Sequence, residues 1–246
     1  MSQTNGKSGG PVLPAGCKQS KLLYENRFEG ETAQREQEAR REWIMEGGGI
    51  ATWSESHLRL RSRNFMVQRS KVETDHFVYW LNKDFPADFA MTWEFRYPPR
   101  EQNPEGLAIV FFSASGIHGE DIFDPKLQKR DGIFERYYDG DIHCYHTSYL
   151  AMGRGSSNLR KNKGFHLPAS GDDLVGKGGS EKWHQLQVTR FGDLVELRVN
   201  GQVCFAWEDD GKKYGPRIGG GKLGFRQQNN LLWGDYANLR VWGLNR

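Results

Sequence analysis

A chain of 246 residues whose 34 Lys plus Arg nearly cancel 31 Asp plus Glu, for a net charge of +3, lacks the basic excess expected of a nucleic-acid partner. No run of 18 or more apolar residues occurs, so no membrane span is expected, and the first residues lack the apolar stretch of a secretory signal. With 30 Gly, 13% aromatics and a mean hydropathy of −0.75, the composition suits short strands joined by polar turns rather than a helical bundle.

Residues 1–20, rich in Gly, Ser, Lys and Pro, read as a disordered leader, and 21–246 as one domain. A cytoplasmic location is favoured. The alternative, a periplasmic or lipid-anchored origin, rests on Pro14-Ala15-Gly16-Cys17, which is similar to the end of a bacterial lipoprotein signal. Cys17, Cys144 and Cys204, odd in number and widely spaced, read as free thiols rather than as a disulfide framework or a zinc site. Leu22 to Phe28 reads as a first strand, and Ala33 to Trp43 as a short, charged, solvated helix. Period-two alternation then marks His57 to Arg61, His76 to Leu81 and Met91 to Tyr97 as half-buried antiparallel strands. In the last of these, Met91, Trp93, Phe95 and Tyr97 share the core face, and Glu94 and Arg96 the other. Leu107 to Phe112 is more continuously apolar and should lie centrally, whereas Gly116 to Arg136 reads as a long, functional loop. Further on, Asn200-Gly201 between alternating runs predicts a tight hairpin inside a three-strand meander, and Lys222 to Arg226 and Ala237 to Trp242 close the chain as strands.

The Trp-led strand at Trp183, the Val199-Asn200-Gly201 hairpin, Gly221-Lys222-Leu223-Gly224-Phe225 and Ala237-Asn238-Leu239-Arg240-Val241 together resemble the concanavalin A-like lectin and glucanase superfamily. A narrower resemblance, to the YesU-like family, is carried by Phe111 to Gly116, Tyr138 to Ile142, Tyr145-His146-Thr147-Ser148-Tyr149 and Ser157 to Asn162. This implies an all-β jelly roll of two antiparallel sheets with a concave sugar-binding face, and acidic plant or algal polysaccharide as context. Related sandwiches often hold a structural calcium, and Glu29 and Asp235 occupy comparable places. No other cofactor is expected, and the oligomeric state is left open.

The densest chemistry lies between Tyr138 and His166. Breaking a glycosidic bond beside a uronate by β-elimination requires removing the proton next to a carboxylate, so that carboxylate must first be neutralised. Arg154, Arg160 and Lys161 supply charge, and Asn158 and Asn162 supply hydrogen bonds. His143, Tyr145, His146 or Tyr149 would serve as acid and base. Because Ile142 and Cys144 look like core residues, His143, Tyr145 and Tyr149 are expected to face the groove, with His146 taking their place if a β-bulge shifts the strand. Glu94 and Arg96 are expected to line the same groove. The partner is therefore expected to be an acidic polysaccharide or oligosaccharide and the activity that of a polysaccharide lyase. A non-catalytic lectin is the alternative. A glycoside hydrolase ranks lower, because the Glu-x-Asp-x-x-Glu strand of the superfamily's glucan hydrolases is missing.

Overall fold

The structure, a computed structural model, describes residues 10–29, 32–64, 75–102, 105–228 and 230–246. Two antiparallel sheets stack face to face. The first runs β13 (Gln202–Glu208), β12 (Leu194–Val199), β11 (His184–Phe191), β6 (Phe89–Arg96), β15 (Gly234–Asn245), β4 (Leu58–Ser62) and β3 (Gly49–Trp53), with β1 (Gln19–Asn26) also paired to β15. The second runs β10 (His166–Asp172), β9 (Ser156–Asn162), β8 (Ile142–Ala151), β7 (Leu107–Gly116), β14 (Gly221–Gln227), β5 (Phe77–Phe85) and β2 (Trp43–Gly47). Helices are short: α1 (Thr32–Glu42), α2 (Glu135–Tyr138) and α3 (Leu174–Gly178).

The expected elements fall where the pattern puts them. Asn200 and Gly201 take φ values of 51° and 80°, the twist that lets a two-residue turn join right-twisted strands, and β12 pairs with β13 across it. Met91, Trp93, Phe95 and Tyr97 are buried between the sheets, where Trp93 and Phe95 pack edge-on against Tyr149. Residues 1–9 lie outside the described residues, but Val12 exchanges two hydrogen bonds with the Gln187 amide and β1 begins at Gln19.

A second apolar cluster lies on the opposite, outer side of the second sheet. Val78, Trp80, Ile109, Phe111, Ile142 and Cys144 are buried there beneath the connection 117–141, which contributes Ile122 and Tyr137. The long loop is thus a packed roof. Its anchor is Glu46, which accepts hydrogen bonds from Trp80 Nε1 (2.9 Å), Tyr137 Oη (2.8 Å) and Arg130 Nε (3.1 Å). Gly47 and Gly132 let backbones meet here, since a Cβ on either would overlap the His76 carbonyl oxygen. Trp80 is fully buried under this roof.

Candidate functional site

The roof reverses the expected faces of β8. Ile142 and Cys144 are buried as expected, but beneath the roof rather than between the sheets, so their apolar character marks the outer side. Tyr145 and Tyr149 consequently point into the inter-sheet core. Tyr149 shares a hydrogen bond with Tyr236 (2.9 Å), and Tyr145 donates to Asp209. Lys161 faces the same interior and bonds Asp209 at 2.8 Å. None of these three reaches the outer face where a groove residue would sit. His143 lies half-buried at the start of β8, opposite Ser115.

His146 takes the outward place, on the same face as Ile142 and Cys144, because the roof and not a β-bulge sets which side is outer. It packs against Phe111, Phe134 and Phe165, at 5.0, 5.5 and 5.9 Å between ring centroids, and is 3% exposed. Around it, β9 and the turn before it gather the basic run. Arg160 lies 3.9 Å over the Phe165 ring and donates to the Phe165 carbonyl at 2.9 Å. Arg154 donates to Ser148 Oγ at 2.6 Å, and the Asn158 amide N–H reaches the same oxygen at 3.0 Å. Asn162 Nδ2 stands 2.8 Å from His146 Nδ1. Arg154, Asn158, Arg160, Asn162 and His146 are therefore brought together, as one strand face and its neighbour should. Ser148, Phe165, Phe134 and Arg226 also belong here. Ser148 follows from His146 by alternation once the face is known, whereas Arg226 comes from β14 and Phe134 from the roof, with no local signal.

Burial, and then the positive fields of Arg160, Arg226 and Arg154, hold the His146 pKa well below its ordinary 6.5. It is neutral at neutral pH. Burial also lowers His184, which sits within 2.7 Å of the Gly179 carbonyl. In the unfolded chain both would protonate near 6.5, while the folded protein resists. The unfolded state therefore binds more protons as pH drops below 6.5, and stability is lost until the depressed folded pKa is reached. Acidification from pH 7 to pH 5 is expected to cost about 1.4 kcal/mol per pH unit for each such histidine inside that window. His146→Gln should flatten the slope; denaturant titrations at each pH would check this, and an unchanged slope would contradict it.

Glu94 and Arg96 lie on the other sheet. Glu94 accepts from Asn238 at 3.0 Å and, with Glu29, Arg27, Gln187 and Arg240, lines a separate cavity of about 460 Å³. Arg96 and Arg59 both grip the fully buried Asp235, at 2.7 and 2.6 Å. The expectation that Glu94 and Arg96 share a groove with the β8 residues is therefore corrected, because β6 belongs to the first sheet. The calcium pair does not fit either. Asp235 is already neutralised by two guanidiniums, whose charge would repel a divalent cation, and no group of three or more acidic, His or Cys ligands occurs among the described residues.

Two stacked antiparallel sheets with this topology define a jelly-roll sandwich of the concanavalin A-like class. Residues 21–241 match the family described as Domain of unknown function (DUF1961), and the chain belongs to that family. It is 37% identical over 207 residues to the uncharacterized protein YesU of Bacillus subtilis (strain 168), covering 80% of this chain and 88% of that protein. Its fold matches a crystal structure of a protein of unknown function with a galectin-like fold from Bacillus subtilis, with a TM-score of 0.79, 33% identity, and coverage of 94% and 99% of the two chains. An endo-β-1,3-glucanase from Pyrococcus furiosus shares the fold alone, at a TM-score of 0.59 and 9% identity over 95% of this chain and 98% of that one.

Proposed function

We propose that the protein acts on an acidic, uronate-containing polysaccharide or oligosaccharide at the outer face of the second sheet, cleaving it by β-elimination. The observation that carries this reading is a neutral, outward-facing His146 set among Arg154, Arg160 and Arg226. The fold is also one that neighbours named as glucanases use. Arg154 and Arg160 would neutralise the uronate carboxylate, making the adjacent C5–H acidic enough to lose. His146 Nε2 takes that proton, the C4–O bond breaks as the C4–C5 double bond forms, and the imidazolium returns its proton to the leaving oxygen.

Asn162 governs whether that lone pair exists. With Nδ2 donating to Nδ1, the ring proton sits on Nε2, and His146 can only donate outward. Asn162 Oδ1 is then buried without a hydrogen-bond partner among the described residues. Half a turn of the amide puts Oδ1 on an Nδ1 proton and toward Cys144, whose sulfur is 3.2 Å from the present Nδ2, and frees Nε2 as a base. Without that turn the same face binds and does not cleave. The 3% exposure of His146 favours such a lectin as the second reading.

Arg160 tests the ligand class apart from the chemistry. Arg160→Ala is expected to weaken binding of a galacturonate trisaccharide roughly ten- to a hundredfold by calorimetry, as loss of a charge-assisted bond implies. Arg160→Lys should restore only part of it, lacking the planar fork. Equal affinity in Arg160→Ala and the parent would contradict the acidic-ligand reading.

A further inference from the structure

The fate of Arg96 points to a second surface on the opposite sheet. Where β4, β6 and β15 lie side by side, two guanidiniums and two indoles interleave over one buried carboxylate. Arg59 lies 4.3 Å over the Trp233 ring, Arg96 lies 4.8 Å over the Trp183 ring, and both arginines hold Asp235 from above. His57 flanks the group, its ring 6.1 Å from Trp183. Burial lowers its pKa, so it is uncharged at neutral pH. Two arginines against one aspartate leave a net charge of +1 in the cluster.

Most of this could serve stability alone, but two features are in excess of that need. Trp183 is 37% exposed, one of the few large apolar side chains left to water among the described residues. The bonds to Asp235 use Nε and Nη2 of each arginine, which among the described residues leaves both Nη1 groups for another acceptor on side chains 38% and 28% exposed. A flat apolar face beside fixed, forked cation donors matches one ligand chemistry: a ring that is apolar on one face and carries a carboxylate at its edge. Because Asp235 and the indoles already hold the guanidiniums in place, little side-chain freedom remains to be lost on binding.

We propose that Trp183, Trp233, Arg59 and Arg96 form a second, non-catalytic binding site for a uronate-bearing saccharide on the outer face of the first sheet. It rests on the acidic-saccharide reading above and adds to it. A uronate ring stacks on Trp183 while its carboxylate takes the open Nη1 edge of Arg59 or Arg96. Two sites on opposite sheets let one protein hold two stretches of polymer, so this site raises apparent affinity for long chains and leaves turnover of short ones alone.

Trp183→Ala and Arg59→Lys, each checked for an unchanged circular dichroism spectrum, would be compared with the parent for binding to polygalacturonate and to galacturonate trisaccharide. The parent should bind the polymer more tightly than the trisaccharide. Each variant should lose roughly tenfold of polymer affinity, as expected for one of two linked sites, with the kcat/KM of the trisaccharide unchanged. Polymer affinity equal to the parent's in both variants would overturn the second site and leave the first standing. A parent that binds neither ligand would overturn both.

Discussion

Asp209→Ala is expected to destabilise the fold by about 3–5 kcal/mol, the cost of stripping the partner from a buried charge. Asp209 is 1% exposed and receives Lys161 Nζ at 2.8 and 3.0 Å together with the Tyr145 hydroxyl. Without the carboxylate, the Lys161 ammonium, itself 3% exposed, keeps as a hydrogen-bond acceptor among the described residues the Gly215 carbonyl at 2.9 Å. Arg190, 4.8 Å over the Tyr145 ring and 2% exposed, would add to the uncompensated positive field. The Asp209 carboxylate also accepts the Gly211 N–H at 3.0 Å, so the segment after β13 loses an anchor as well. At roughly 2–4 °C per kcal/mol for a chain of this size, the melting temperature should fall by about 10 °C. Pairing the change with Lys161→Met, which removes the stranded charge, should recover much of the loss. A calorimetric scan in which Asp209→Ala melts with the parent would show that the triad is not the lock it looks to be.

His146→Ala carries the largest expected effect on activity, a fall in kcat of roughly 10²–10⁴, the usual contribution of a positioned acid–base group. Binding should change far less, because the arginines remain. The substitution also opens space among Phe111, Phe134 and Phe165, so His146→Gln, closer in size and still able to hydrogen-bond Asn162, is the control for folding. Both variants should lose turnover alike and retain trisaccharide binding. Wild-type turnover in either would remove His146 from the base role.

Why the fold could be read from the chain and the site only half so follows from which signals are local. The Asn200-Gly201 turn, the meander around it and the core face of β6 are set by neighbours in sequence: a positive-φ turn and strict alternation. Alternation in β8 was equally clear, but it says only which residues share a face, not which face is inside. That choice depended on a segment up to some 25 residues upstream folding back as an apolar roof, which gives Ile142 and Cys144 an outer core of their own. The basic run behaved similarly. Arg154, Asn158, Arg160 and Asn162 alternate to the outer face, and Lys161, between two of them, turns inward to an aspartate 48 positions away. Asp235 looked like a metal ligand by position, and only the pairing of β15 with β4 and β6 supplies the two arginines that already balance its charge. Long-range contacts of this kind leave no periodic trace in the chain.

The central claim is that the face around His146 cleaves acidic saccharide by β-elimination, and it is tested most directly by the near-ultraviolet absorbance of unsaturated uronates. Purified protein would be incubated with a panel of uronate polymers and oligosaccharides, rhamnogalacturonan among them. A protein-dependent rise on at least one substrate, lost in His146→Ala, is the predicted result. A flat trace across the panel, with the same saccharides bound, would contradict cleavage and leave a lectin.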